Sequence, residues 1–241
     1  MTTGQILAVV GAVFFASFVQ AIAGFGFGLM AMPLMTLAIA PSRAVVVSTL
    51  VGIFITTWQS FAMRADAARP VVKRMTIGAY LGMPLGLVVL TTVGDRVLRL
   101  SLGVAVLVAV VLLATNVSFD PGPRTDASAG FVSGVLNTSL STNGPPLVFA
   151  LQARRMDAHE FRATIAAVFA LSNVCALTLF IASGKVNRDG LVAAALAAPA
   201  LLAGQALGFP LRKHVHGQRF RVLVLVLLAV AGASAVVGAL R

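Results

Sequence analysis

Residues 20–35 read QAIAGFGFGLMAMPLM, and they sit inside an uncharged apolar run at 6–40 that is too long for one membrane span of roughly 20 residues. Gly24, Gly26 and Gly28 add backbone freedom, and Pro33 lacks an N–H. The run is therefore expected to form two short helices joined by irregular backbone. A second run, 127–153, is interrupted in the same way by Asn143, Gly144, Pro145 and Pro146.

Six further apolar segments surround these two, at 44–63, 75–93, 97–115, 163–183, 191–211 and 222–240, each about one bilayer thick. The chain has 241 residues, of which 59% are hydrophobic and 10% charged, whereas soluble domains carry about 25% charged residues. An ordinary soluble protein is excluded, and short connectors leave no room for a sizeable soluble domain. The net charge of +11 does not mark a nucleic-acid binder, because Lys and Arg lie in connectors rather than on a basic patch. Cys175 is the lone cysteine, which leaves no intramolecular disulfide or cysteine metal cluster and reads as packing. The N-terminus lacks a basic region before its apolar run, so the first segment is expected to stay in the mature protein.

Slid against itself without gaps, the chain places Gly11 on Gly130, Gly24 on Asn143, Phe25 on Gly144, and Arg43-Ala44 on Arg162-Ala163. GMPLG at 82–86 then falls on GQALG at 204–208 once a three-residue insertion is allowed. This gives one transmembrane domain over 1–241, with repeat one at about 5–115, a Pro/Gly-containing linker at about 116–126 and repeat two at about 127–240. Connector charge reverses between the copies. In the first, Arg64, Arg69, Lys73 and Arg74 crowd one side, while in the second the equivalent connector carries only Lys185 and Arg188. The opposite side of the second copy holds Arg154, Arg155, Arg162, Arg212, Lys213, Arg219 and Arg221. Positive short loops stay cytoplasmic, so the copies should be inverted, with the linker inside and both termini outside. The expected fold is an all-α polytopic membrane protein of two pseudo-symmetric, inverted repeats, each a broken or re-entrant helical hairpin followed by three transmembrane helices.

Irregular backbone at membrane depth survives only inside protein or beside a water-filled cavity. Matched interruptions in two halves therefore point to a transporter's binding site. Helix N-termini beyond the breaks favour an anion. Around the second break Asn137, Thr138, Ser139, Ser141, Thr142 and Asn143 form the densest uncharged polar cluster, with Gln20 as a sparse counterpart. The candidate substrate-binding residues are Gln20, Gly24, Gly26, Gly28, Ser48, Thr49, Asn137, Thr138, Ser141, Thr142, Asn143, Gly144 and Pro145, and Arg43 and Arg162 are candidates for substrate entry. Helix packing by the glycines, and helix–helix bonds by Ser48, Thr49 and Asn173, are the bland alternatives. Trp58 and Tyr80 read as interfacial or packing aromatics.

All seven acids and the three histidines fall in connectors. An intramembrane carboxylate relay and intramembrane hydrolysis are thereby disfavoured, and the lack of a GxxxxGK(S/T) stretch disfavours ATP hydrolysis by a P-loop. No catalytic residue, cofactor or metal site is expected.

AGFGFGLMAMPLM at 23–35, RAVVVSTL at 43–50 and GFVSGVLNTSLSTNGPPLVFAL at 130–151 resemble the TauE/SafE family of membrane permeases, the sulfite exporters, over essentially the whole chain. The resemblance implies a multi-pass permease of the bacterial inner membrane moving sulfur-containing anions such as sulfite, thiosulfate or organosulfonates. It assigns the family's first glycine motif to Gly24, Gly26 and Gly28 and its second-half element to Asn143, Gly144 and Pro145. The chain departs from the usual pattern at Phe25, Phe27 and Asn143, which bears on the substrate. The expected mechanism is alternating access around a midplane site, one half rocking against the other. The expected partners are a small anion and the lipid bilayer, with no nucleic acid, and a homodimer is compatible with the sequence. A permease for another small metabolite and a non-transporting membrane partner subunit stay open as alternatives.

Overall fold

The computed structural model describes residues 1–114, 121–154, 156–211 and 218–240. Among these the chain is all helix: α1 (Thr3–Ala23), α2 (Phe27–Met35), α3 (Pro41–Ala62), α4 (Arg69–Thr92), α5 (Asp95–Ala114), α6 (Pro123–Leu140), α7 (Gly144–Ala153), α8 (Ala158–Ala182), α9 (Arg188–Leu211) and α10 (Gln218–Leu240). Five helices, α1, α3, α4, α8 and α9, are long and apolar enough to cross a membrane. Both overlong runs break as expected, into α1 with α2 and α6 with α7.

Local sequence explains the starts. Thr2 and Gln5 form a capping box at α1. Prolines in the first turn open α3, α4, α6 and α7, where a missing N–H costs nothing and φ is already helical. For this reason α6 begins at Pro123, inside the stretch expected to be linker, while residues 115–120 of that linker lie outside the described residues. Asp157 caps α8 by accepting from the N–H groups of His159 and Glu160 at 2.7 and 2.9 Å.

Each hairpin starts and ends at the same end of the bundle. Gln5 Nε2 at the head of α1 donates to the carbonyl of Ala38 beyond α2, at 3.1 Å. Asp126 in the first turn of α6 accepts from Arg154, which closes α7, at 2.8 Å, and from Arg74 of α4 at 2.8 Å. Asp126 falls in a connector by sequence, and it is fully buried. Two guanidiniums offset its desolvation, and together the three residues tie α4, α6 and α7. The N-terminal amino group meets Asp189 at 3.0 Å, and Ser42 meets Asp95 at 3.0 Å, at the same end as Ala38.

Helices α4 and α6 pack along their lengths, as do α1 and α9, α5 and α10, and α3 and α8. Small residues set these approaches. A Cβ at Gly82 would strike the Phe131 carbonyl, one at Gly134 the Ala79 carbonyl, and one at Gly204 the Ser17 hydroxyl. Without a hydrophobic force between helices in lipid, such backbone proximity supplies the packing that holds them together. The large apolar side chains Phe54, Trp58, Leu81, Leu202 and Phe209 face outward, as suits a lipid-facing surface.

Gly134→Ala should lower the unfolding free energy in detergent by about 1–3 kcal/mol, the usual cost of overpacking. Gly11→Ala, whose added methyl meets open space, should leave thermal stability unchanged or raise it slightly through helix propensity. Asp126→Asn should cost on the order of 3 kcal/mol, because two guanidiniums lose a fully buried partner. Melting curves of the purified variants check all three.

Candidate functional site

The two breaks are built from unusual backbone. Gly24 closes α1 at φ 86°, and Gly26 opens α2 at φ 95°. Both lie in the left-handed region, where a side chain costs roughly 1–2 kcal/mol. In the second break Ser141 closes α6 in the left-handed region at φ 52°, with its N–H on the Asn137 carbonyl at 3.0 Å. A non-glycine residue held there costs on the order of 1–3 kcal/mol, and such strain tends to gather at functional sites.

The breaks touch. A Cβ on Gly28 would run into the Ser141 carbonyl, so glycine there is required by the approach of two backbones, although its own φ is ordinary.

Between them lies a small, partly open cavity of about 40 Å³. The breaks supply Gly26, Phe27, Gly28, Leu29, Ser141, Thr142, Asn143 and Gly144. Gln20 of α1, Ser48, Gly52, Ile55 and Thr56 of α3, and Phe169 and Asn173 of α8 complete the walls. Among the described residues none that lines it is ionisable. Ser141 Oγ donates to Ser48 Oγ at 3.0 Å, and Asn173 Nδ2 donates to Thr56 Oγ1 at 3.3 Å. Gln20 Oε1, Thr142 Oγ1 and Asn143 Nδ2 are buried with no partner among the described residues. Each such orphan costs about 1–3 kcal/mol unless water or a ligand satisfies it.

Of the residues expected at a site, Gln20, Gly26, Gly28, Ser48, Ser141, Thr142, Asn143 and Gly144 line this cavity, and the others serve elsewhere. Thr49 bonds the Val45 carbonyl of its own helix at 3.0 Å. Thr138 donates to the Met83 carbonyl at 2.7 Å and so binds α6 to α4. Asn137 is buried one turn before the break, with its amide nitrogen unpartnered. Pro145 is buried in the first turn of α7. Gly24 lies under the Arg162 side chain, where an added Cβ would sit 3.3 Å from Nε. Arg162 makes no ion pair among the described residues, whereas Arg43 lies at the other end, in the neighbourhood of Asp189. Tyr80 donates to the Leu171 carbonyl at 3.3 Å, and Trp58 is exposed.

Sequence reasoning missed Leu29, Gly52, Ile55, Thr56 and Phe169 as cavity residues. One signal was available: Ser48, Gly52 and Thr56, and likewise Phe169 and Asn173, recur every four residues and so share a helix face. Leu29 and Ile55 carry no mark that separates them from other apolar residues.

Interrupted hairpins meeting at a buried, uncharged, polar cavity in a helical bundle are features of a membrane permease. The Sulfite exporter TauE/SafE family model matches residues 9–235, and the chain belongs to that family. Its members are transporters and not enzymes, and this chain is a multi-pass protein of the bacterial inner membrane. It is also similar to the probable inner membrane transporter protein TsaS of Comamonas testosteroni, with 31% identity over 115 residues, covering 47% of this chain and 48% of that protein. The match thus spans about half the length of this curated relative. No solved structure matches the chain.

Gly28→Ala should be costlier than Gly26→Ala, even though Gly26 holds the positive φ. The first forces two backbones apart, for about 1–3 kcal/mol, while the second meets open space and bears only the left-handed strain of roughly 1–2 kcal/mol. Gly26→Asn should recover part of that loss, since asparagine tolerates the left-handed region. Thermal melts of the three proteins decide the order.

Proposed function

We propose that the chain is a secondary permease for small sulfur-containing anions, of the kind represented by sulfite, thiosulfate or an organosulfonate, working by alternating access around the cavity between the breaks. The observation that carries this reading is the pair of unpartnered buried donors, the Thr142 hydroxyl and the Asn143 amide nitrogen, lining a cavity in which no described residue carries an ionised side chain. Neutral donors bind an anion without burying a fixed charge in the membrane.

We read the fold as two inverted copies. The packing supports this: α1 lies on α9 as α6 lies on α4, while α3 pairs with α8 and α5 with α10. Hairpins that return to their starting end, each followed by three helices, carry the second copy to the opposite face. The caps pair Gly24 with Ser141 and Gly26 with Asn143, a register two residues from the ungapped sequence match. In this register Gln20 corresponds to Asn137 rather than to Ser139.

The moving bodies follow from the same contacts. Each hairpin is interlocked with a helix of the other copy, α6 with α4 and α1 with α9. Composite pairs therefore move, instead of one sequence half rocking against the other. Arg162, beside Gly24, draws anions to the cavity from the end that holds the Asp126 cluster, and Arg43 does so from the opposite end. Cross-linking in native membranes tests whether two copies associate.

Radiolabelled sulfite and thiosulfate fluxes in proteoliposomes, under imposed proton and voltage gradients, test the reading. Sulfite should raise the melting temperature of the purified protein where chloride and amino acids do not. Gln20→Leu and Asn143→Leu should each reduce flux about tenfold, the equivalent of one hydrogen bond to a charged group, with normal expression. Stabilisation by a neutral metabolite in place of any anion would move the assignment to another permease, and absence of any flux would favour a partner subunit.

A further inference from the structure

We infer that the backbone of one break only, the first turn of α2, holds the anion, and that prolines close the start of α7 to it while side chains of the second break complete the site. This placement rests on the permease reading above and names the donors within it.

The first amides of a helix have no partner inside the helix. At α2 these are the N–H groups of Phe27, Gly28 and Leu29, since Met30 already donates to the Gly26 carbonyl at 3.1 Å. The cap, Gly26, offers them no side chain. All four residues from Gly26 to Leu29 line the cavity. At α7 the corresponding positions are Gly144, Pro145 and Pro146, and proline carries no N–H. The first turn of α2 thus has three backbone N–H groups without a helical partner, and the first turn of α7 has one. The two helix ends look equivalent in fold, yet only α2 can grip an oxyanion through its backbone.

A side chain of the other break supports the site. Thr142 is 1% exposed, lines the same cavity, and its hydroxyl has no partner among the described residues. A hydroxyl donates to anionic oxygens. The field agrees as well, because Arg162 lies against Gly24, two residues before the cap of α2, while Arg43 is at the far end. The chemistry selected is an SO₃ head group, which accepts from several donors at once. Free sulfite and methanesulfonate share it.

The test is titration of the purified full-length protein with sulfite and, separately, methanesulfonate, following thermal stabilisation and heat of binding. Leu29→Pro removes one amide, Thr142→Val removes one hydroxyl at constant shape, Leu29→Ala keeps the amide, and Pro146→Leu restores an amide to α7. Leu29→Pro and Thr142→Val should each weaken sulfite binding about tenfold, as for one lost hydrogen bond to an anion, with Leu29→Pro well below Leu29→Ala, whereas Pro146→Leu should bind like the parent. If Leu29→Pro does not fold, Thr142→Val and Pro146→Leu decide. An unchanged Thr142→Val, or a Pro146→Leu that binds several-fold tighter, overturns this site while leaving the permease reading intact. A parent protein that binds neither anion overturns both. Binding of sulfite without methanesulfonate assigns the site to the free anion, and binding of both assigns it to the head group alone.

Discussion

An unpaired peptide group in hydrocarbon costs several kcal/mol, and the structure is arranged around two places where the helical ladder stops. At Gly24–Gly28 and Ser141–Asn143 the chain gives up intrahelical bonds, and it does so only where the two interruptions shield one another. The contact between Gly28 and the Ser141 carbonyl is therefore the constraint from which the rest follows. It fixes how closely the hairpins meet, which forces glycine at one break. The strained serine at the other places a hydroxyl, donating to Ser48, in the cavity wall.

Bringing two hairpins together inside a bundle requires each to be supported from behind. The supports are α9 behind α1 and α4 behind α6, approached through glycines at which even one added methyl would strike backbone or a hydroxyl. Thr138 joins this second contact by donating to Met83. A polar residue next to the break thus serves the scaffold while its neighbours Ser141 and Thr142 face the cavity. Sequence proximity to the break did not separate these roles, since on a helix consecutive residues point to different neighbours.

Much of this was legible in the chain. Overlong apolar runs containing Gly24, Gly26, Gly28 and Asn143 through Pro146 marked the hairpins, because length and glycine or proline content act locally. What stayed hidden was non-local. Asp126 looked like a connector acid, and only the approach of Arg74 and Arg154 from two other helices makes its burial tolerable. Thr49 and Thr138 looked like site residues until the helix faces were fixed. Leu29 and Ile55 became cavity walls only through the angle at which helices meet.

The cavity also exposes a reciprocal exchange. A Cβ at Gly52 would lie 3.9 Å from the Phe27 ring, and one at Gly144 would lie 3.7 Å from the Phe169 ring. In the register set by the helix caps, Phe27 corresponds to Gly144 and Gly52 to Phe169. Under the proposed two-copy reading, one copy puts the ring on the hairpin and the glycine on the span, and the other reverses them. Each hairpin–span joint therefore keeps one ring and one glycine, so volume is conserved, as close-packed interiors demand. The departure from the family pattern at Phe27 is thus compensated across the joint by Gly52 and need not shrink the cavity. Because the bulk is balanced, what distinguishes the two ends of the cavity is hydrogen-bonding chemistry: amides at the start of α2, prolines at the start of α7. A scaffold that is nearly symmetric in shape can in this way hold a single ion in one orientation.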